Sequence, residues 1–343
     1  MRLLVLGGTE FVGRAVVEAA LDRGWEVTVF NRGRREPPSG VRSLTGDRAS
    51  PDGLAALAAH PGSWDAVVDT WSGEPRAVRG SARALRERAG RYVYVSSRSV
   101  YAWPWPPGVA EDAAALVEGA SADAGTSDYA RDKRGGELAA VAEFGAARSV
   151  LVRAGLILGP YENVGRLPWW LSRTARGGPV LAPGPAGLPL QYVDVRDLAQ
   201  WLLGAVERGA SGPYNLVSPP GHTTMGELLR ACAEVTGAGA ELRWTDPETI
   251  LAAGIEPWTQ LPVWVPPGEE WAGAHGADVS RALETGLVCR PVTETVADTW
   301  RWLTGIGGEA PRRPDRPAVG LDPDVEAGVL ALASQLAVSE GNL

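Results

Sequence analysis

The chain opens on an unbroken apolar run, Leu3 to Leu6, then the cluster Gly7-Gly8-Thr9, then Val16, Val17, Ala20 and Leu21 at helical spacing. Gly24 supplies a stop, and a second apolar run, Val27 to Phe30, ends at Asn31-Arg32. Short runs without alternation read as strands buried on both faces, and recurrence every three to four residues reads as a helix. The pattern is strand, glycine turn, helix, strand, the first βαβ unit of a dinucleotide-binding fold. The alternation then continues. Strands are expected at 41–44, 66–69, 92–95, 150–158, 192–195 and 214–217, and helices at 52–60, 76–89, 197–207 and 224–236. A further helix is expected after Ser127 as cap, with Leu138, Val141 and Phe144 as its buried stripe. Strands alternating with helices predict an α/β, Rossmann-type doubly wound parallel sheet.

From about residue 161 the regularity weakens into longer loops and Gly/Pro-rich stretches. The reading is a dinucleotide-binding domain over 1–160, to which 191–218 returns, and a smaller C-terminal substrate-binding domain from 161–190 and 219–303. The tail, 304–343, carries the stretch RRPDRP and a helix-like end at 322–338, and reads as a loosely docked appendage. The segment 103–127, rich in Pro, Gly and Ala, reads as a loop over the site. No internal repeat is visible.

Composition narrows the function classes. A chain of 343 residues with 45% hydrophobic content supports a full core, and a formal charge of −8 argues against a nucleic-acid or anionic-membrane surface. No run approaches the roughly 18 apolar residues that span a bilayer. The first apolar stretch breaks at Gly7-Gly8 without a cleavage pattern, so the expectation is a cytoplasmic protein with a small-molecule substrate, compatible with a homodimer. Cys232 and Cys289 are isolated, as are His60, His222 and His275, so neither a metal site nor histidine acid/base work is expected.

The glycine loop has a chemical reason. A pyrophosphate is anionic and bulky, and needs free backbone N–H groups and a helix N-terminus with no side chains in the way. Gly7, Gly8, Thr9, Phe11, Val12 and Gly13 would supply that cradle. The middle glycine of the usual pattern is Glu10 here, and its carboxylate would have to turn outward. At the end of the second strand, Asn31 and Arg32 stand where a carboxylate would favour NAD(H), so NADP(H) is favoured and NAD(H) is the alternative. Asp47, after the third strand, reads equally as an adenine contact or as a turn aspartate bonding its own backbone.

The fifth strand delivers Ser97 at its carboxyl end, where ligands bind in open α/β sheets. Tyr129 and Lys133, four apart, would project from one helix face. An ammonium a turn away favours the phenolate and makes Tyr129 a usable general acid/base. A bare Tyr-x-x-x-Lys pair is common by chance; the order of dinucleotide loop, serine and Tyr/Lys pair gives it weight.

With these residues in view, the chain resembles an extended short-chain dehydrogenase/reductase of the NAD-dependent epimerase/dehydratase group. The matching segments are LGGTEFVGR at 6–14, GDR at 46–48, YVYVSSRSVYA at 92–102, YARDK at 129–133, VRAGLILGP at 152–160 and YVDVRDLA at 192–199. The resemblance implies a catalytic set of Ser97, Tyr129 and Lys133, with Asp47 and Arg48 beside the adenine. It also implies that the loop after Val68, with Thr70, lies beside the cofactor. Departures narrow the activity. Arg98-Ser99 replaces the Asp-Glu pair that dehydratases carry. Leu156 and Leu190 replace the asparagine and arginine that bind sugar nucleotides in epimerases, leaving Arg166 or Arg173 as substitutes. Fourteen tryptophans stand against three phenylalanines. Trp103, Trp105, Trp169, Trp170, Trp258, Trp264 and Trp271 suggest an aromatic substrate wall. The leading expectation is an NADPH-dependent ketoreductase acting on a small, largely apolar or aromatic carbonyl compound, in a cleft poor in cations. A sugar-nucleotide epimerase with tightly bound NAD and a non-catalytic NADP-binding sensor are the alternatives.

Overall fold

In the computed structural model, which describes residues 1–50 and 52–340 with side chains described through residue 332, the first half of the chain alternates strand and helix. The elements are β1 (Arg2–Leu6), α1 (Phe11–Asp22), β2 (Glu26–Asn31), β3 (Arg42–Thr45), α2 (Ala55–Ala59), β4 (Trp64–Asp69), α3 (Pro75–Leu85), β5 (Ala89–Ser97), α4 (Tyr129–Phe144) and β6 (Ser149–Ala154). There follow β7 (Leu156–Leu158), α5 (Arg166–Thr174), β8 (Gly178–Pro183), β9 (Pro189–Leu190), β10 (Tyr192–Asp194), α6 (Val195–Glu207), β11 (Gly212–Leu216) and α7 (Met225–Thr236).

Seven strands form one parallel sheet in the order β11-β6-β5-β4-β1-β2-β3. The order reverses between β1 and β4, so a crevice opens at their carboxyl ends, where the register sets Leu6 beside Asp69 and Asp69 beside Tyr94. Strand residues alternate between two cores, as a period of two requires. Leu3, Val5, Val27, Val29, Val68, Val93 and Val95 pack with α1 and α6. Leu4, Leu6, Phe30, Val67, Tyr92 and Tyr94 pack with α3 and α4 on the other face. Burying each such side chain contributes about 1.5–3 kcal/mol, which offsets the entropy of ordering the strands.

The apolar run 150–158 is not one strand. Gly155 interrupts it, because a Cβ there would lie 2.8 Å from Val217, and the chain leaves the sheet as β7, which pairs with β10. From this point a second core gathers, with Leu158, Trp170, Leu181, Met225, Leu228 and Trp264 among its buried members. The strand Ala240–Thr245 pairs with β8 beside it, and helix Val292–Gly305 packs on α7.

Helix α4 departs from the expected pattern in two ways. Its cap is Asp128, which accepts from the Ala130 and Arg131 N–H groups, while Ser127 donates to Asp132. Leu138 is 46% exposed, and the buried face runs instead through Lys133, Gly136, Glu137, Ala140 and Phe144. The sheet comes too close for leucines, since a Cβ on Gly136 would lie 2.4 Å from the Tyr94 hydroxyl. Beneath it, Glu137 accepts from Ser96 and Arg153 at 2.7 and 3.0 Å and from Arg134 at 2.8 Å, which fixes the helix on β5 and β6.

The tail is not a loose appendage. Val319, Leu321 and Val329 are buried, and helix Pro323–Glu340 is pinned by Glu326, which accepts from Arg173 Nε at 2.6 Å and from the Leu181 N–H at 3.0 Å. Residues 341–343 of the expected tail lie outside the described residues.

Candidate active site

The glycine loop between β1 and α1 has the geometry of a cradle. Gly7 and Gly8 take φ of 123° and 88°, and a Cβ on Gly13 would lie 2.6 Å from the Gly8 nitrogen, so this helix can approach the loop only without a side chain there. Phe11, the first residue of α1, is held at φ 33°, a conformation costly for an L residue and the kind of strain found at functional sites. Glu10 turns its carboxylate to Arg35 at 3.0 Å and to Asn163 Nδ2 at 2.9 Å. A cleft of about 430 Å³ opens here, with Thr9, Glu10, Phe11, Arg35, Asn163 and Pro311 among its walls.

At the end of β2, Asn31 Oδ1 accepts from the Gly33 N–H, while its buried Nδ2 donates to nothing among the described residues. Arg32 and Arg34 beside it are exposed. Asp47 Oδ1 accepts from the Ala49 N–H at 3.1 Å, the turn role that sequence left open. Arg48, expected beside the adenine, is turned inward. Its guanidinium makes two bonds of 2.6 and 2.7 Å to the buried Asp69 carboxylate at the end of β4, a pairing that meets the charge of a carboxylate fully withdrawn from water. Thr70 donates to the Leu6 carbonyl and stands against Gly7.

Ser97 occupies the last paired position of β5, opposite Ala154, and its Oγ lies 3.1 Å from both the hydroxyl and the N–H of Ser99. Tyr129 is half-buried at the first turn of α4. Lys133, one turn on, donates to the Trp71 and Val95 carbonyls, each at 2.6 Å, with its ammonium 4.9 Å from the centre of the Tyr94 ring. Burial pushes this ammonium down to about 7, Arg313 and Arg316 push the same way, and Asp69 and Glu137 oppose. The ammonium is therefore fixed between the ends of β4 and β5, next to the loop 70–73. Sequence reasoning missed the two carbonyls that hold it, because backbone acceptors leave no trace in residue type.

The cation count also differs from expectation. Arg316 lies with its guanidinium 4.3 Å from the centre of the Tyr129 ring, and Arg313 donates to Ser72 Oγ at 2.9 Å and from its backbone to the Asn163 carbonyl at 3.0 Å. Both come from the RRPDRP stretch of the tail. Arg166, at the start of α5, stands close enough to feel the charge of both Tyr129 and Arg316. The expected cation-poor cleft is thus corrected: arginines reach the phenol from an element whose packing across the molecule no local pattern announces.

The aromatic wall is thinner than expected. Trp170 and Trp264 are fully buried and donate to the Pro262 and Gly184 carbonyls, so they are core residues, not substrate contacts. Trp105 lies under Arg98, Trp271 donates to the Pro189 carbonyl, Trp169 packs on Gly320, and Trp103 is 53% exposed. Large rings whose N–H finds a backbone carbonyl are suited to filling a core, here the second one. Leu156 is likewise a core residue. Arg98, where a dehydratase would carry a carboxylate, donates to the Gly273 and Ala274 carbonyls and is spent there.

The family model described as the NAD dependent epimerase/dehydratase family matches residues 3–217. An epimerase family protein of Bos taurus, SDR39U1, is 28% identical over 268 residues, covering 70% of this chain and 82% of that one. A ceramide reductase of Caulobacter vibrioides is 29% identical over 279 residues, covering 75% of this chain and 78% of the relative. Among solved structures, the enzyme WbmH of Bordetella bronchiseptica in complex with NAD+ aligns with a TM-score of 0.65 at 19% identity, covering 89% of this chain and 99% of that one. At that identity the likeness is one of fold.

Proposed function

The chain belongs to the NAD dependent epimerase/dehydratase family, and on that premise we propose that it is a nicotinamide-dinucleotide-dependent ketoreductase. In this reading it reduces the carbonyl of a small metabolite, with Tyr129 as proton donor. The observation that carries it is the phenol of Tyr129 one turn from the buried Lys133 ammonium, beside a glycine loop that a Cβ would fill.

The residues present fit the dinucleotide. Gly7, Gly8 and Gly13 let the loop and the start of α1 pack together without side chains, which turns the helix N-terminus and its N–H groups toward a pyrophosphate, and the unpartnered Asn31 Nδ2 is a donor suited to a ribose hydroxyl. Exposed Arg32 and Arg34 at the end of β2 favour the 2′-phosphate, and hence NADP(H), over NAD(H). When bound, the reduced dinucleotide supplies a hydride to the carbonyl carbon. Tyr129 delivers a proton to the carbonyl oxygen, so that carbonyl, hydride and proton give an alcohol. Ser97 Oγ donates to the same oxygen as it gains charge. Lys133, held by two carbonyls, is fixed one turn from the phenol and offers donors toward the ribose.

Reduction is favoured over epimerisation of a sugar nucleotide by two buried residues. Leu156 and Leu190 are 7% and 1% exposed and apolar where such a ligand would need partners. One relative's name, ceramide reductase, points the same way. The test is Tyr129→Phe, assayed by consumption of NADPH over a panel of carbonyl compounds. Turnover should fall by about 10²- to 10⁴-fold while dinucleotide affinity holds. An unchanged rate removes the proposed proton donor.

A further inference from the structure

The tail from 309 to 322 crosses the mouth of the site and is fixed on both sides of it. At one end the Arg313 N–H donates to the Asn163 carbonyl and its guanidinium to Ser72; at the other the Gly320 N–H donates to the Thr259 carbonyl at 2.8 Å, ahead of buried Leu321 and Glu326. Pro311, Pro314 and Pro317 stiffen the stretch between. Arg316 is thereby held over Tyr129, and Arg166 lies near enough for its charge to interact with both.

Neither guanidinium has an acceptor among the described residues. The one carboxylate near Arg166 is Glu162, which spends both oxygens on the Arg166 and Leu167 N–H groups at 2.8 and 3.1 Å as it caps α5. Asp315 is taken by Arg313 at 2.6 Å, and Glu10 by Arg35 and Asn163. Arg166 lies 5.3 Å from the ring centre of Trp258, which orients its plane. Trp258 is itself held at φ 65°, a strained backbone that the surroundings must enforce. Two partly desolvated cations whose charges interact repel each other and leave N–H donors unused, with Glu162 offsetting part of the charge on Arg166. Arginine forks match the geometry of carboxylate and phosphate oxygens.

We infer that Arg166 and Arg316 form an oxyanion subsite beside Tyr129, which holds a carboxylate or phosphate group of the substrate a few bonds from the carbonyl being reduced. Assigning the anion to the substrate rests on the reductase reading above; the existence of the subsite does not. Arg316 lies outside the residues that the family model matches, and Arg166 lies within them.

The same oxyanion chemistry could be supplied by the dinucleotide's own phosphates, and the experiment separates the two sources. Inorganic phosphate is titrated by calorimetry into the full-length protein, with and without saturating oxidised dinucleotide. The variants are Arg316→Gln, Arg166→Gln and, as a distant exposed control, Arg243→Gln, each checked for an unchanged melting temperature. Arg166→Lys is added to keep the charge and the packing of the stem. The expected result is that phosphate binds with dinucleotide present. Arg316→Gln and Arg166→Gln should each weaken it about tenfold or more, Arg166→Lys less, and Arg243→Gln not at all. Three results overturn the inference: no phosphate binding in either state, binding indifferent to both glutamine variants, or binding abolished by dinucleotide. In the last case Arg316→Gln would weaken the dinucleotide by the same factor, and the site would belong to the cofactor. Phosphate binding through the arginines together with a Tyr129→Phe enzyme of normal rate would retire the reductase reading and leave the subsite standing.

Discussion

Glu326 is the residue whose loss should separate the tail from the rest of the fold. It is 4% exposed and its two oxygens meet Arg173 Nε and the Leu181 N–H, so it ties helix Pro323–Glu340 to α5 and β8 at once. In Glu326→Ala, Arg173, itself 7% exposed, keeps a buried charge whose remaining partners are the Gly177 and Pro179 carbonyls. Breaking a buried pair from one side costs about 3–5 kcal/mol. If the tail opens as a unit, its opening equilibrium should rise by roughly 10²- to 10⁴-fold. Hydrogen exchange reads this directly. The amides of Arg313 and Gly320, both hydrogen-bonded in the docked tail, should lose protection, while those of Val5 and Val29 in the central sheet keep theirs. Equal protection in variant and parent would refute the account. So would one loss shared by tail and sheet, because the tail would then not be a separable unit.

Gly13→Ala should abolish dinucleotide binding and destabilise the fold by about 1–3 kcal/mol, since the new Cβ meets backbone atoms of Gly8 that cannot move aside. A fluorescence titration and a melting curve check it, and a folded variant that binds like the parent would contradict it. Lys133 sets a pH dependence of stability. Its ordinary value is 10.5 and burial holds it at about 7 in the fold, so between those values the unfolded chain binds a proton that the folded chain has shed. Stability from this group therefore rises with pH across that window, and its cost is complete below about 7. Lys133→Met removes the slope: the variant's stability relative to the parent should be greatest near about pH 6 and decline toward about pH 10. A difference in melting temperature that does not vary with pH would refute the assignment.

The Rossmann half was legible because its signals are local. A buried parallel strand is an apolar run, a phosphate turn needs glycine, and a Tyr/Lys pair at helical spacing needs only one helix. What stayed hidden depends on contacts far apart in sequence. Leu138 looked like core because leucine usually is, but the sheet approaches α4 so closely that glycine and alanine take the inner face. Ser127 and Asp128 are both good caps, and only the path of the chain chooses between them. Arg48 met Asp69 instead of the adenine because the loop after β3 turns back across the carboxyl ends of the sheet to the end of β4, and Trp170 and Trp264 went into the second core. The RRPDRP stretch was visible as a charged, proline-rich run; that it lands on Tyr129 follows from Leu321, Glu326 and Arg173, which no window of sequence brings together.

That landing has a bearing on biosynthesis. The glycine cradle, the phenol and the ammonium emerge from the ribosome well before Arg316 is translated, and the sheet they stand on closes with β11, about a hundred residues earlier than Arg316. A nascent chain therefore passes through a stage at which the strands that carry the proposed proton donor have all been made while Arg316, proposed to select the substrate, is still to come.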